Sequence, residues 1–202
     1  MAFSISQIDL DLEIKITLVG NPSVGKTSII DQYINKRFEL NVSTTIGESH
    51  FSKYIRINNE NILVTLWDTA GQERYKSLNT IFLKNSNIVI FVYDITNYES
   101  FEDIKKIWAP LVFDTLGKDN IVFGLAGNKN DLYFNDKVGI ENGKNYAKEI
   151  NAIFKETTST NYEVVELFII ELIQKYVELY SERLFAMKKE RKEKKKIDMR
   201  CC

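Results

Sequence analysis

A chain of 202 residues can form one domain with a substantial core and carry a tail besides, and its net charge of −1 is unevenly spread. Residues 188–200 hold eight basic and three acidic side chains, net +5, which leaves 19 basic and 25 acidic residues elsewhere, net −6. A mildly acidic body argues against a nucleic-acid-binding domain. No run approaches the ~18 apolar residues of a membrane span, and the acidic, polar-interrupted residues 1–12 do not read as a signal peptide. The two cysteines, Cys201 and Cys202, are the last residues, so the body needs no disulfide and suits a reducing compartment.

In chain order, the β-rich run 14–19 predicts a strand that ends at a glycine loop, and a helix follows over 25–35. Strands are predicted over 49–57 and 61–67, with Asn58-Asn59-Glu60 turning a hairpin between them. The short apolar runs 88–93 and 121–126 lack alternation, as expected of strands buried on both faces. Between them Phe101, Ile104, Ile107, Trp108 and Leu111 recur at helical spacing. A last short strand is predicted over 152–156. A long helix then opens on Thr160-Asn161-Tyr162-Glu163, which has the form of a capping box, and buries Val165, Phe168, Ile169, Leu172, Ile173, Tyr176 and Val177. The fold class is therefore α/β: six strands, mostly parallel with one antiparallel, and helices on both faces. The expected organisation is an extension over 1–12, the domain over 13–185, and a flexible basic tail over 186–202.

Three segments on the carboxyl ends of predicted strands carry the chemistry. Gly20-Asn21-Pro22-Ser23-Val24-Gly25-Lys26-Thr27 fits G-x-x-x-x-G-K-[ST], a loop whose backbone N–H groups wrap a polyphosphate. Ser23, Val24, Gly25, Lys26, Thr27 and Ser28 would face the phosphates, with Lys26 on the β- and γ-groups and the Thr27 hydroxyl on Mg²⁺. Asp68-Thr69-Ala70-Gly71-Gln72-Glu73 supplies a carboxylate, Asp68, for the Mg²⁺ side, an unhindered N–H at Gly71, and the Gln72 amide to orient a water. Alone, Asp68 could equally cap a helix or turn. Asn128-Lys129-Asn130-Asp131 offers a carboxylate, Asp131, to accept from guanine N1–H and the 2-amino group, where adenine has no donor; alone it is a solvated turn. The three in this order point to GTP or GDP.

The chain resembles the Rab-type small GTPases of the Ras superfamily over roughly residues 13–185. Trp67-Asp68-Thr69-Ala70-Gly71-Gln72-Glu73-Arg74-Tyr75, Val92-Tyr93-Asp94-Ile95-Thr96, Ser43-Thr44-Thr45-Ile46-Gly47 and the terminal Cys201-Cys202 carry the resemblance. It implies that Thr45 joins Mg²⁺ when the γ-phosphate is present and that Phe38 lies across the guanine. Lys129 would lay its stem along the base and tether the phosphate loop with its ammonium, and Asn128 would brace the same loops. Thr158 and Ser159 stand where the family has its guanine loop. The resemblance further implies double geranylgeranylation of Cys201 and Cys202, a membrane partner through the lipidated tail, and residence on the cytosolic face of an intracellular or plasma membrane with cycling through the cytosol. Effectors, an exchange factor, an activating protein and prenylation or extraction chaperones would engage the switch loops of a monomeric domain.

Three departures qualify these expectations. Pro22 stands where relatives carry a small residue; it fixes φ and has no N–H, and its ring lies where an activator's arginine would enter. Thr158-Ser159-Thr160 replaces Ser-Ala-Lys. Ile46-Gly47-Glu48-Ser49-His50 replaces Ile-Gly-Val-Asp-Phe on the effector side, with His50, the single histidine, an exposed surface residue. Two functions remain: a switch that hydrolyses GTP slowly, or a GTP-binding scaffold with negligible hydrolysis.

Overall fold

The computed structural model describes residues 12–37, 48–57, 60–69 and 82–198, with the backbone alone at positions 48, 49, 60, 69 and 182–198. The strands are β1 (Leu12–Val19), β2 (Glu48–Ile57), β3 (Glu60–Thr69), β4 (Ile88–Asp94), β5 (Val122–Asn128) and β6 (Ala152–Glu156). They form one sheet in the order β2-β3-β1-β4-β5-β6, in which β2 alone runs antiparallel to its neighbour. The expected fold class is the observed one. β3 alternates, with Ile62, Val64 and Leu66 fully buried, because one face of the sheet edge carries the core. β4 and β5 are buried at every position, which accounts for their unbroken apolar runs.

Helices α1 (Lys26–Asn35), α2 (Tyr98–Asp103), α3 (Ala109–Leu116), α4 (Ile140–Glu149) and α5 (Tyr162–Asp198) cover both faces. On one face Ile29, Ile30 and Tyr33 of α1 and Val165, Phe168, Ile169, Leu172, Ile173 and Tyr176 of α5 pack on Ile14, Ile16 and Leu18. On the other, Phe101, Ile104, Trp108 and Val112 pack with Tyr146 and Ala147 of α4 on Val89 and Phe91. The order of the strands reverses at β1, so the crevice beyond the carboxyl ends of β1 and β4 is the natural ligand site.

Three local features differ from the sequence reading. Ile107 is 40% exposed, although the helical pattern placed it with the buried stripe. A π turn, Ile104–Trp108, joins α2 to α3 and inserts a wider turn there, which rotates Ile107 out of the stripe. The cap of α5 is Asn161, not Thr160: its Oδ1 accepts from Glu163 N at 3.0 Å and Val164 N at 3.4 Å. The Thr160 hydroxyl is instead held by the Thr158 hydroxyl, 2.7 Å away. Finally, the backbone of α5 continues to Asp198, past residue 185 where the sequence reading ended the domain. Residues 163–198 contain no Gly or Pro, and Lys, Glu and Arg, all good helix formers, dominate the end of this stretch.

Asn161→Ala is expected to cost about 1 kcal/mol, or about 2–4 °C in Tm, at fixed nucleotide concentration. Thr160→Ala, which leaves the cap in place, is expected to cost less. A thermal melt followed by circular dichroism compares the two.

Candidate functional site

The loop after β1 is shaped by two glycines. Gly20 has φ +149° and its missing Cβ would lie 2.1 Å from the Val92 carbonyl oxygen, while Gly25 has φ +98° and a Cβ there would lie 2.3 Å from the Asn128 amide nitrogen. Either side chain would push the loop off β4 or β5. Ser23, also left-handed at φ +62°, completes the curl that turns successive N–H groups toward one concavity. α1 then starts at Lys26 with no side-chain cap and no acidic residue in its first turn. Its N-terminal N–H groups, Thr27 and Ser28 included, therefore suit an anionic ligand.

Lys26 is buried, and its ammonium donates to the Gly20 and Asn21 carbonyls, both at 2.8 Å, bridging the loop's own mouth. The Thr27 hydroxyl donates to Asp68 Oδ2 at 2.6 Å. Asp68 is 2% exposed, close to the end of β3, so a hydroxyl and a carboxylate stand side by side below the phosphate loop. These are the hard oxygen donors that Mg²⁺ accepts, and one carboxylate plus ligand oxygens is its usual manner of binding. Among the described residues no cluster of three or more His, Cys, Asp or Glu side chains offers an all-protein metal cage.

Asn128, the last residue of β5, is 1% exposed. Its Nδ2 donates to the Val24 carbonyl at 2.8 Å, and its Oδ1 accepts from the Thr157 hydroxyl at 3.2 Å. It thereby braces the phosphate loop, as expected, and fastens the segment after β6 to it as well. Asn130 N donates to Thr157 O at 3.0 Å and Thr157 N to Gly127 O at 2.8 Å, so the two base-side loops are sewn together by backbone. Asp131 receives the Thr158 hydroxyl on Oδ1 at 2.6 Å. Thr160 sits on Thr158 in turn, so a relay of two hydroxyls fixes the orientation of the carboxylate. Ser159 is buried, its hydroxyl 3.8 Å from where a Gly25 Cβ would be, against the phosphate loop.

Lys129 departs from expectation. Its ammonium pairs with Asp94 Oδ2 at 2.7 Å instead of tethering the phosphate loop, a link made here by Asn128. Asp94 ends β4 directly opposite Asn128, and its other oxygen accepts from Thr96 N at 2.9 Å and the Thr96 hydroxyl at 2.7 Å. A carboxylate already positioned by its own turn captures the cation beside it. The sequence assigned Asp94 no part in the site; the signal was its place at the end of a fully buried strand.

His50 is exposed, as expected, and stacks on Trp67 with ring centroids 5.4 Å apart, while Lys15 Nζ lies 4.2 Å from the same indole. Phe38, Thr45, Gly71, Gln72, Cys201 and Cys202 lie outside the described residues.

A phosphate-wrapping loop, a hydroxyl–carboxylate pair and the Asn128-Lys129-Asn130-Asp131 segment after β5, all on one edge of a doubly wound sheet, define a small guanine-nucleotide-binding domain. A sequence model of the Ras family matches residues 15–178. The chain is 40% identical over 157 residues to Ras-related protein Rab-31 of Mus musculus, covering 77% of this chain and 80% of the relative. It is 40% identical over 158 residues to Ras-related protein Rab-22A of Homo sapiens (78% and 80% covered), and 35% identical over 170 residues to Ras-related protein RabJ of Dictyostelium discoideum (84% and 66%). The chain belongs to the Ras family, as a Rab-type small GTPase.

Removing the hydroxyl that orients Asp131 is expected to weaken GDP binding. Thr158→Val should lose about tenfold in affinity, since hydrogen bonds to charged groups contribute about 1.5–3 kcal/mol. Thr158→Ser should lose little. Isothermal titration of the two variants checks this.

Proposed function

We propose that the chain is a GDP/GTP-regulated switch in vesicle or membrane trafficking, hydrolysing GTP slowly with Mg²⁺. The observation that carries the proposal is the continuity of its site: Asn128 links the phosphate loop to the base-side loops, and Thr27 stands on Asp68. A ligand with a base at one end and phosphates at the other is felt by the whole edge of the sheet. Lys26 and the N–H groups of residues 23–28 hold the phosphates, and Asp131, set by Thr158, selects guanine. Thr27 and Asp68 hold Mg²⁺, which when bound neutralises phosphate charge. Gln72 orients the attacking water beside the Gly71 N–H, and Thr45 reports the γ-phosphate. Phe38, Lys129 and Ser159 line the base.

Cys201 and Cys202 carry two isoprenoid chains, because one chain anchors only marginally whereas two hold. Among the described residues no helix is long and apolar enough to cross a membrane. The basic residues 188–200 add attraction to an anionic leaflet, weakened by the interspersed acids. Exchange factor, activating protein, effectors and extraction chaperones engage the switch segments on the cytosolic face.

Pro22 favours a second reading, a GTP-bound scaffold with negligible hydrolysis. It is exposed on the rim of the phosphate loop, where it offers no N–H and its ring can obstruct an incoming arginine. Single-turnover hydrolysis separates the two. A switch shows an intrinsic rate on the order of 10⁻⁴ s⁻¹ that falls in Gln72→Leu; a scaffold shows no phosphate release above the uncatalysed background.

Two further outcomes are expected. Asp131→Asn should weaken GTP and strengthen xanthosine triphosphate, whose 2-oxo group accepts from an amide; titration with both nucleotides measures the exchange of preference. Replacing Cys201 and Cys202 together by Ser should leave a protein that binds GTP but stays in the soluble fraction of its native cell. Mass spectrometry of the wild-type C-terminal peptide should show two isoprenoid groups.

A further inference from the structure

The π turn Ile104–Trp108 lies outside the nucleotide site, yet it touches the phosphate loop through one side chain. Asn21, the second residue of that loop, donates from Nδ2 to Asp103 Oδ2 at 2.6 Å and accepts on Oδ1 from Trp108 Nε1 at 2.7 Å. Asp103 is the last residue of α2 and Trp108 the last of the π turn, five positions on. In an α-helix, residues five apart point about 140° away from each other, so they could not both reach one amide. In a π turn the i→i+5 bond, here Ala109 N to Ile104 O, stacks such residues on one side. The irregular turn is what brings a carboxylate and an indole N–H to the same amide.

Ile104 and Trp108 of the turn pack in the core, and its ion pairs do not account for its shape. Lys105 and Lys106 pair with Glu102 at 3.0 and 2.9 Å, but these are surface pairs, which contribute little. Trp108, by contrast, is 2% exposed and polar only at Nε1, and that atom is spent on Asn21. The Asn21 carbonyl in turn accepts the Lys26 ammonium at 2.8 Å. Pro22, next in the chain, has a locked φ. The leading edge of the loop is therefore held by a side-chain clamp at Asn21, a fixed dihedral at Pro22 and the buried cation that faces the phosphates.

We propose that Asn21 is a positioning residue, and that its clamp to Asp103 and Trp108 sets how slowly bound nucleotide leaves. The proposal rests on the reading of the loop as a GDP/GTP phosphate site. When Asn21 is fixed, its carbonyl and that of Gly20 keep Lys26 aligned across the loop; when it is released, the leading edge opens and the phosphates lose their enclosure. A force on the exposed side of the π turn, at Lys105, Lys106 or Ile107, would act on the nucleotide through this one amide.

The test is the release rate of a fluorescent GDP analogue from the full-length chain, with Mg²⁺ present and excess unlabelled GDP. Asn21→Asp sets a carboxylate against the Asp103 carboxylate and should speed release about tenfold or more. The exchanged pair, Asn21→Asp with Asp103→Asn, restores the hydrogen bond between residues 21 and 103 with donor and acceptor swapped, while Trp108 still donates to residue 21. Its release should return to within about threefold of wild type. Trp108→Phe keeps a ring in the core but removes the N–H, and should speed release by about threefold to tenfold. Wild-type release from Asn21→Asp, or an exchanged pair no slower than the single variant, would overturn the clamp. Should Asn21→Asp fail to fold, the exchanged pair and Trp108→Phe decide: wild-type release from Trp108→Phe, or release from the exchanged pair as fast as the tenfold loss, overturns it. Failure of the wild type to bind the GDP analogue is a different result, which rejects the nucleotide reading itself and the clamp with it.

Discussion

The buried amide of Asn128 is the interaction on which the rest of the site depends. Its nitrogen is spent on the Val24 carbonyl and its oxygen on the Thr157 hydroxyl, so one side chain ties three segments that are far apart in sequence. Both hydrogen bonds are out of water, where a lost partner costs about 1–3 kcal/mol. The same amide fixes the identity of Gly25, since a Cβ there would lie 2.3 Å from its nitrogen. Asn128 can do this only because β5 pairs with β4 in a register that sets Asp94 beside it and ends the strand beneath the phosphate loop.

The sheet buries both strands without a break, and that burial alone does not set the register. β4 and β5 are covered on both faces, so a slip of one residue would still bury apolar side chains, and alternation cannot pin them. The register is instead consistent with the polar groups at the strand ends: Thr96 on Asp94, Lys129 on Asp94, and Asn128 on Val24. Functional side chains and structural ones are here the same residues. A substitution meant to test binding at Asn128 or Asp94 also tests folding, whereas Thr158, partly exposed and at the end of a relay, separates the two.

Much of this was legible in the sequence, for stated reasons. Motifs with fixed spacing picked out Lys26, Thr27, Asp68, Asn128 and Asp131, and the fold brings these residues to one edge of the sheet, where Thr27 meets Asp68 and Asn128 meets the loop after β1. The periodicity of α5 gave its buried face correctly from Val165 to Tyr176. What escaped were choices between chemically similar neighbours. Thr160 and Asn161 both make good caps, and the Thr158 hydroxyl, which competes for Thr160, leaves the cap to Asn161. Lys129 could reach either the phosphate loop or Asp94, and the sequence holds no measure of which carboxylate is already oriented. Ile107 fitted a helical period that a π turn breaks, and a single wide turn has no pattern of its own to read.

The most direct measurement is the GDP dissociation rate of Asn128→Asp, taken beside its urea unfolding midpoint. The carboxylate can still accept from Thr157 but faces the Val24 carbonyl with no proton to give. If Asn128 couples the phosphate and base sides, dissociation should accelerate by about tenfold or more while unfolding stays cooperative. GDP dissociation at the wild-type rate from a folded Asn128→Asp protein would contradict it.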